Sequence, residues 1–167
     1  MFWFLLVSAV LGLLSTTNAA SAYDIDTDST LLYLYAHNVY RAGYNASQLT
    51  WSTDLASKAQ QWASSCQFKH INSELGPYGE NIAAGTGFFS IINAMEMFTQ
   101  DQSSFNPLSP SFSDFTQVVW QSTTQLGCAM AQCGDIFPSS YGNALLHVCL
   151  YNPPGNIIGE LQSNVIF

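Results

Sequence analysis

The chain has 167 residues, of which 48% are hydrophobic and only 8% are charged, a balance that favours one packed domain over a disordered chain. Eleven acidic residues against three basic ones give a formal net charge of −8, so the summed field repels phosphate backbones and anionic lipid headgroups. Nucleic acid is therefore excluded as an expected partner, and Arg41, Lys58 and Lys69 are too few to form a basic patch.

The first 22 residues are typical of a secretory signal peptide. Residues 1–14 carry no charge and are almost wholly apolar, and Ala20-Ser21-Ala22 matches a small-residue cleavage site. The apolar run is too short to cross a bilayer, and no other segment is long and apolar enough to do so. We expect a secreted, extracellular protein without a transmembrane segment, whose single domain covers residues 23–167.

Helical spacing dominates the first two thirds of the chain. The first predicted helix follows an acidic stretch, ends at Gly43 and carries an apolar stripe of Leu32, Tyr35, Ala36 and Val39. After a short extended piece at 49–51, Ser52 can cap a second helix. The stripe of this second helix is Leu55, Ala59, Trp62, Ala63 and Cys66.

A third helix is predicted over about residues 90–102, after a turn at 76–79 and an extended segment at 80–83. Its inward residues are Ile91, Ala94, Met95 and Phe98. Asp101 continues the same helical face, so we expect its side chain to point toward the core.

The last third of the chain changes character. Residues 103–113 are rich in Ser, Pro and Phe without a regular period, which indicates an ordered surface loop. Asp114-Phe115-Thr116-Gln117 has the form of a capping box with Asp114 at the N-cap. Two strands are then predicted at 125–133 and 144–151, joined by a turn region at 134–142, with Ile157-Ile158 as a third. Helices followed by strands predict an α+β domain, a sheet covered by helices.

Four cysteines form an even set in a chain that is expected to enter an oxidising compartment: Cys66, Cys128, Cys133 and Cys149. Two disulfides are therefore predicted, and their spacing leaves three pairings open. The cysteines do not have the double-CxxC spacing of a zinc knuckle. Asn45-Ala46-Ser47 is a glycosylation sequon in a predicted loop, so Asn45 is a candidate glycan acceptor.

Five short strings, in order, resemble the motifs of the CAP superfamily, which comprises cysteine-rich secretory proteins, antigen 5 and the plant pathogenesis-related class one proteins. They are AHNVYR (36–41), LTW (49–51), GPYGEN (76–81), FTQVVW (115–120) and CLYNPPGN (149–156). The strings span essentially the whole predicted mature chain, and the resemblance points most to the fungal and plant secreted branches. It implies a three-layer α-β-α sandwich with disulfides Cys66–Cys133 and Cys128–Cys149. Closure of the long Cys66 loop would contribute roughly 4 kcal/mol.

The resemblance also implies a central cleft that gathers two histidines and two glutamates, a set that binds zinc in some members. The matching positions here are His70, Glu80, Asp101 and Asp114, so one histidine and one glutamate are replaced by aspartates. One imidazole with three carboxylates favours weak binding of zinc, or of harder ions such as magnesium or calcium, and no cofactor is required. Asp114 is alternatively explained by helix capping, and His70 with Glu80 by a structural pair.

Other polar residues are interpreted as structural. His37 and Asn38 lie beside the apolar stripe of the first helix, where buried polar groups more often join chain segments than do chemistry. His147 lies on a strand and is assigned no role. Serine or cysteine nucleophile motifs such as G-x-S-x-G are absent from the sequence, so we do not expect an enzyme.

Lipid binding is the favoured function, because the resembling fungal and plant proteins bind sterols and fatty acids. The resemblance places sterol contact on the aromatic loop before the FTQVVW helix, here residues 105–112, and fatty acid between the first and third helices. Phe105, Leu108 and Phe112 are the candidate lipid-binding residues, and the alternative is that they pin the loop to the core. Two other classes stay open: a metal-dependent hydrolase using His70 and Glu80, and a secreted protein that engages a receptor or host factor.

Overall fold

The computed structural model describes residues 22–72 and 74–166. The predicted signal peptide lies outside the described residues except for Ala22, with which the first helix begins. The elements in chain order are α1 (Ala22–Gly43), β1 (Thr50–Trp51), α2 (Thr53–Ser64), β2 (Gly79–Thr86), α3 (Ile91–Thr99), a 3-10 turn (Gln100–Ser104), α4 (Asp114–Val118), β3 (Gln125–Cys133), a 3-10 turn (Ser139–Tyr141), β4 (Ala144–Asn152) and α5 (Leu161–Asn164).

The four strands form one mixed sheet with the order β1-β3-β4-β2. The short strand β1 runs parallel to β3, while β4 pairs antiparallel with both β3 and β2 over their full lengths. The predicted strand at Ile157-Ile158 is wrong. Ile158 is 89% exposed, and the chain turns there because Gly159 adopts a φ of +87°.

Helices cover both faces of the sheet, which confirms the three-layer α-β-α sandwich. Successive β4 residues point to opposite faces, so that Val148 and Leu150 pack under α2 while Cys149 and Tyr151 face α1, α3 and α4. The buried side chains of α2 are Leu55, Ala59, Trp62 and Ala63, as their spacing predicts, and Ser52 caps the helix by accepting from the Leu55 amide. The inward residues predicted for α3 are buried as well.

Close packing of α2 on the sheet depends on Gly127 of β3. A Cβ at this position would lie 2.2 Å from the backbone nitrogen of Ala56 and 2.5 Å from the Cβ of Leu55. Because these atoms belong to the helix and its packed face, a larger residue would push α2 away from the sheet.

The first helix uses a different face from the one predicted. Tyr35 and Val39 are more than half exposed, whereas the buried side chains are Tyr33, Ala36, His37 and Arg41. The face is rotated because two polar residues find partners in the interior. Arg41 donates through Nε to the Ser47 carbonyl and through its terminal nitrogens to the carbonyls of Val118, Trp120 and Thr123. Burial lowers the pKa of the Arg41 guanidinium to about 10.

Two disulfides are present, with the pairing that the resemblance implies. Cys66–Cys133 ties the segment after α2 to the end of β3, and Cys128–Cys149 bridges neighbouring strands. Among the described residues, no helix is both long enough and apolar enough to pass through a membrane.

Candidate functional site

Glu80 and His70 form the centre of the predicted cleft. Glu80 lies on β2, and its Oε2 accepts a 2.8 Å hydrogen bond from the Ile71 amide, which holds the segment after α2 against the sheet. Its Oε1 lies 3.5 Å from Nδ1 of His70. The Glu80 side chain is only 10% exposed, whereas that of His70 is 64% exposed. Burial raises the pKa of Glu80, and the Ile71 amide and His70 oppose this rise.

Asp114 also belongs to the cleft, but it does not cap α4. The N-cap is Ser113, whose hydroxyl accepts from the Thr116 amide while the Thr116 hydroxyl accepts from the Ser113 amide. The prediction that Asp114 occupies the N-cap is therefore wrong. The capping box pairs Ser113 with Thr116, one residue earlier in the chain than the predicted box of residues 114–117. Burial raises the pKa of Asp114 to about 6; His70 opposes the rise, and the neighbouring carboxyls of Asp101 and Glu80 add to it.

Asp101 lies at the exposed edge of this group, and the prediction that it points into the core is wrong. Helix α3 ends at Thr99 and the chain continues as a 3-10 turn, which changes the angle between successive side chains. Asp101 is therefore turned to solvent. The other three predicted residues, His70, Glu80 and Asp101, all lie near enough to affect the ionisation of Asp114.

The donors of the cleft do not fit a closed zinc site. They supply one imidazole and three carboxylates, Glu80 already holds the Ile71 amide with Oε2, and Asp101 faces solvent. In the described part of the chain, no three of the four bring ligand atoms within 4.8 Å of one another. The three residues that do so are His37, Cys128 and Cys149, whose sulfurs are joined in a disulfide and are not thiolate ligands.

A buried polar network supports the floor of the cleft. Asn81 donates through Nδ2 to the Asp114 carbonyl at 3.0 Å and to the Tyr151 hydroxyl at 3.1 Å. The Tyr151 hydroxyl lies 2.8 Å from Nε2 of His37, whose Nδ1 lies 2.8 Å from the Tyr33 carbonyl. Because a carbonyl only accepts, Nδ1 of His37 carries the proton and Tyr151 donates to Nε2. Burial lowers the pKa of His37 to about 4, which keeps the ring neutral.

The hydrogen bonds of His37 and Asn38 confirm their structural interpretation, and the network adds two residues that sequence reasoning missed. His37 is fully enclosed, and Asn38 pairs with both the amide and the carbonyl of Leu49. Asn81 and Tyr151 both lie in motif strings, Asn81 directly after Glu80 and Tyr151 two residues after Cys149, but the sequence pattern alone assigns neither a role. His147, to which no role was assigned, lies between the Tyr33 hydroxyl at 2.6 Å and the Phe89 carbonyl at 3.3 Å.

The aromatic loop between the 3-10 turn and α4 divides into an inner and an outer part. Phe105 packs against the core with its ring 6.1 Å from that of Phe115, so this residue pins the loop. Leu108 is 94% exposed and Phe112 is 44% exposed. Phe112 lines a cavity of about 430 Å³ together with Gly159 and Leu161 from the C-terminal segment. The sequence pattern does not predict this contact between the C-terminal segment and the loop, because it predicts a strand at 157–158 where the chain turns.

The sequon asparagine lies in the turn that follows α1. Asn45 is exposed and adopts a φ of +53°, a conformation that asparagine tolerates better than most residues. Ser47 of the same sequon is also exposed.

The chain is similar in sequence to pathogenesis-related proteins of fungi and plants and similar in fold to solved structures. A probable pathogenesis-related protein of Arthroderma benhamiae is 37% identical over 143 residues, which cover 78% of this chain and 46% of that protein, so the chain spans less than half of this fungal relative. Pathogenesis-related protein 1A of Nicotiana tabacum is 34% identical over 168 residues, covering 94% of this chain and 92% of that protein. The crystal structure of NaASP2 with Zn²⁺ has a TM-score of 0.64 at 21% identity, covering 79% of this chain and 83% of that one. Residues 34–151 match the sequence profile of the cysteine-rich secretory protein family, and the chain therefore belongs to this CAP family.

Proposed function

We propose that this protein is a secreted lipid-binding protein that binds or exports sterols and fatty acids, with a role in defence or virulence between a host and a microbe. The observation that carries the proposal is the outer part of the aromatic loop. Leu108 and Phe112 present apolar side chains to solvent, and Phe112 borders a cavity of about 430 Å³. An exposed apolar loop next to a cavity is typical of a site for a small apolar ligand.

The energetic argument concerns the area that such a ligand would cover. Burying apolar surface contributes about 25 cal/mol per Å², and no charged residue occurs between Phe105 and Ser113 to be desolvated. Ile158, 89% exposed and next to Gly159 of the cavity lining, extends the apolar surface on the C-terminal side. In this proposal Phe105 fixes the base of the loop while Leu108, Phe112 and Ile158 contact the lipid.

Fatty acids are proposed to bind between α1 and α3. The support is the outward apolar stripe of α1, in which Leu31, Tyr35 and Val39 are each more than half exposed, together with Ile92 of α3, which is 44% exposed. Tyr35 and Val39, which the sequence pattern places on the apolar stripe of this helix, would then line a ligand site.

Secretion is part of the same proposal. It rests on the signal-peptide pattern of residues 1–22, on the two disulfides, which persist in oxidising compartments, and on the accessible sequon at Asn45. The cleft is proposed to be structural rather than catalytic, so the protein is not an enzyme. One carboxylate oxygen of Glu80 accepts a hydrogen bond from the Ile71 amide, and the sequence supplies no activated nucleophile.

The test is a titration of a fluorescent sterol, dehydroergosterol, into the purified mature protein and into variants. Leu108→Ser with Phe112→Ser should weaken saturable binding at least tenfold. The matched control is Phe88→Ser, because Phe88 is also an exposed aromatic residue, 95% accessible, but lies between β2 and α3. Absence of saturable sterol binding to the unmodified protein, or equal loss in the control, would refute the proposed site.

A further substitution separates the alternatives. His70→Ala should leave sterol binding unchanged, because His70 belongs to the cleft and not to the loop. Zinc-dependent hydrolysis that His70→Ala abolishes would instead favour the metal-dependent hydrolase. A receptor-binding protein would tolerate both the loop and the cleft substitutions without loss of its interaction.

A further inference from the structure

A second groove lies on the opposite edge of the sheet, away from the aromatic loop and from the cleft. It has a volume of about 540 Å³ and runs between α1 and α2, with the edge of β3 at its base. We call it the α1–α2 groove. Its volume falls within the range of about 300–1,000 Å³ that is usual for small-molecule sites.

The base of the α1–α2 groove is apolar. It is formed by Tyr33, Trp51, Ala56, Cys128, Ala129 and Met130. Tyr33 is held in place because its hydroxyl bonds His147, so that the groove receives the ring rather than the polar tip. Cys128 is tied down by its disulfide to Cys149. The base is therefore fixed before any ligand arrives, which lowers the entropic cost of binding.

The rim of the groove is polar but uncharged. It carries the hydroxyl and amide side chains of Ser29, Thr30, Thr53, Ser57 and Gln60. Among the lining side chains that the structure describes, none is acidic or basic, in a chain whose formal net charge is −8. A charged ligand would lose its hydration there without gaining an ion partner, whereas a neutral hydroxyl group would find donors and acceptors.

The edge of β3 adds backbone groups to this rim. Strand β1 pairs with β3 at Gln125 and Leu126, and no strand within residues 22–72 or 74–166 continues that pairing. Cys128 lies opposite Cys149 with their Cα atoms 4.1 Å apart, the short spacing of a non-hydrogen-bonded antiparallel pair. The amide and carbonyl of Cys128, and those of Met130 two residues on, therefore point away from β4 toward the groove.

We propose that the α1–α2 groove binds an uncharged amphiphile, an alcohol with an apolar body, as a site separate from the aromatic loop. The apolar body lies on the base formed by Trp51 and Met130. The hydroxyl group bonds the rim or the outward backbone groups of β3. A carboxylate of the same chain length is excluded because the lining offers it no cation.

Two methionines make this proposal directly measurable. Met130 lies in the groove and Met97 lies on α3, and each is 36% exposed. With ¹³C-methyl-labelled methionine, titration of dodecanol should shift the Met130 methyl signal and leave the Met97 signal in place. Dodecanoate should shift Met130 much less. A response at Met97 without one at Met130, or an equal response of Met130 to dodecanoate, would overturn the proposal.

A charge placed in the groove tests the same point by mutation. Ser57→Glu introduces a carboxylate on the lining face of α2 and should weaken dodecanol binding at least tenfold. Gln61→Glu adds the same charge to an exposed position on the same helix that does not line the groove, and it should bind as the unmodified protein does. Unchanged affinity in Ser57→Glu would overturn the proposal.

The proposed groove site and the proposed loop site can be refuted separately. The double variant Leu108→Ser, Phe112→Ser should keep the full Met130 response to dodecanol. A lost Met130 response in that variant would show that the alcohol binds at the loop and would overturn the groove. A retained response together with absent sterol binding would support the groove and reject the proposed function of the loop.

Discussion

Replacement of Asp114 by asparagine should make the protein more stable at neutral pH. The Asp114 carboxyl has its pKa raised from 3.8 to about 6, chiefly by burial, so the folded state holds its proton more tightly than the unfolded state does. Its contribution to stability is therefore complete below pH 4 and is lost as the pH rises through 6. At about 1.4 kcal/mol per tenfold change in the acid constant, this loss reaches up to about 3 kcal/mol at pH 7, less what the partial solvent exposure of Asp114 screens.

His37 acts in the opposite direction over the same pH range. Its pKa is lowered from 6.5 to about 4, so its contribution is complete above pH 6.5 and is lost as the pH falls through 4, also by about 3 kcal/mol. The two effects oppose each other, and we expect the free energy of unfolding of the unmodified protein to change little between pH 4 and pH 7. In Asp114→Asn the opposing contribution of Asp114 is absent, so the free energy of unfolding of the variant should fall on acidification because of His37.

Urea unfolding at several pH values between 4 and 7 measures this directly. Asp114→Asn should exceed the unmodified protein in stability at pH 7, and the difference should vanish toward pH 4. Asp101→Asn is the matched control, because it removes an exposed carboxyl from the same cleft and should change stability by less than about 0.5 kcal/mol. A variant no more stable than the unmodified protein at pH 7, or an advantage that persists at pH 4, would refute this reasoning.

Three other substitutions have expected outcomes. Arg41→Lys should lower the free energy of unfolding by about 2 kcal/mol or more in urea, because one ammonium cannot bond four carbonyls, three of which are buried. The control exchange Lys58→Arg, at a half-buried position where the lysine bonds only Asp54, should not, and equal stability of Arg41→Lys would contradict the role of the guanidinium. Gly127→Ala should cost about 3 kcal/mol by displacing α2, while Gly134→Ala, whose added Cβ would meet its nearest atom at 3.7 Å, serves as the control for thermal unfolding. Asp114→His should strengthen zinc binding at least tenfold in calorimetry by adding an imidazole to the cleft, and an unchanged affinity would show that the cleft cannot gather its ligands.

The helices and strands that could be predicted from sequence are those in which apolar side chains are buried and polar side chains are exposed. Helix α2 has a cap and an uninterrupted apolar stripe, and β3 and β4 are bounded by turns, so burial alone determines them. The buried face of α1 could not be derived this way. There the interior accommodates Arg41 because it bonds the carbonyls of Val118 and Thr123, and His37 because it bonds the Tyr151 hydroxyl. Local residue spacing contains no information about these distant partners.

The site shows the same limit on a finer scale. His70 and Glu80 come together as the family resemblance implies, since a strand and the segment packed on it determine their positions. Asp101 and Asp114 were each misplaced by small changes in local backbone: a helix that tightens into a 3-10 turn and a cap that begins one residue earlier. Such shifts depend on which hydroxyl or amide is nearest, and residue periodicity does not resolve them.

The buried guanidinium of Arg41 also bears on how the protein is made. Arg41 emerges from the ribosome long before Val118, Trp120 and Thr123, the residues whose carbonyls satisfy it, and both disulfides likewise end beyond residue 130. Until that last third has been synthesised, a charged side chain has no reason to leave water. We therefore expect the nascent chain to stay open through most of translation and to close late, with slow folding dominated by contacts between distant segments.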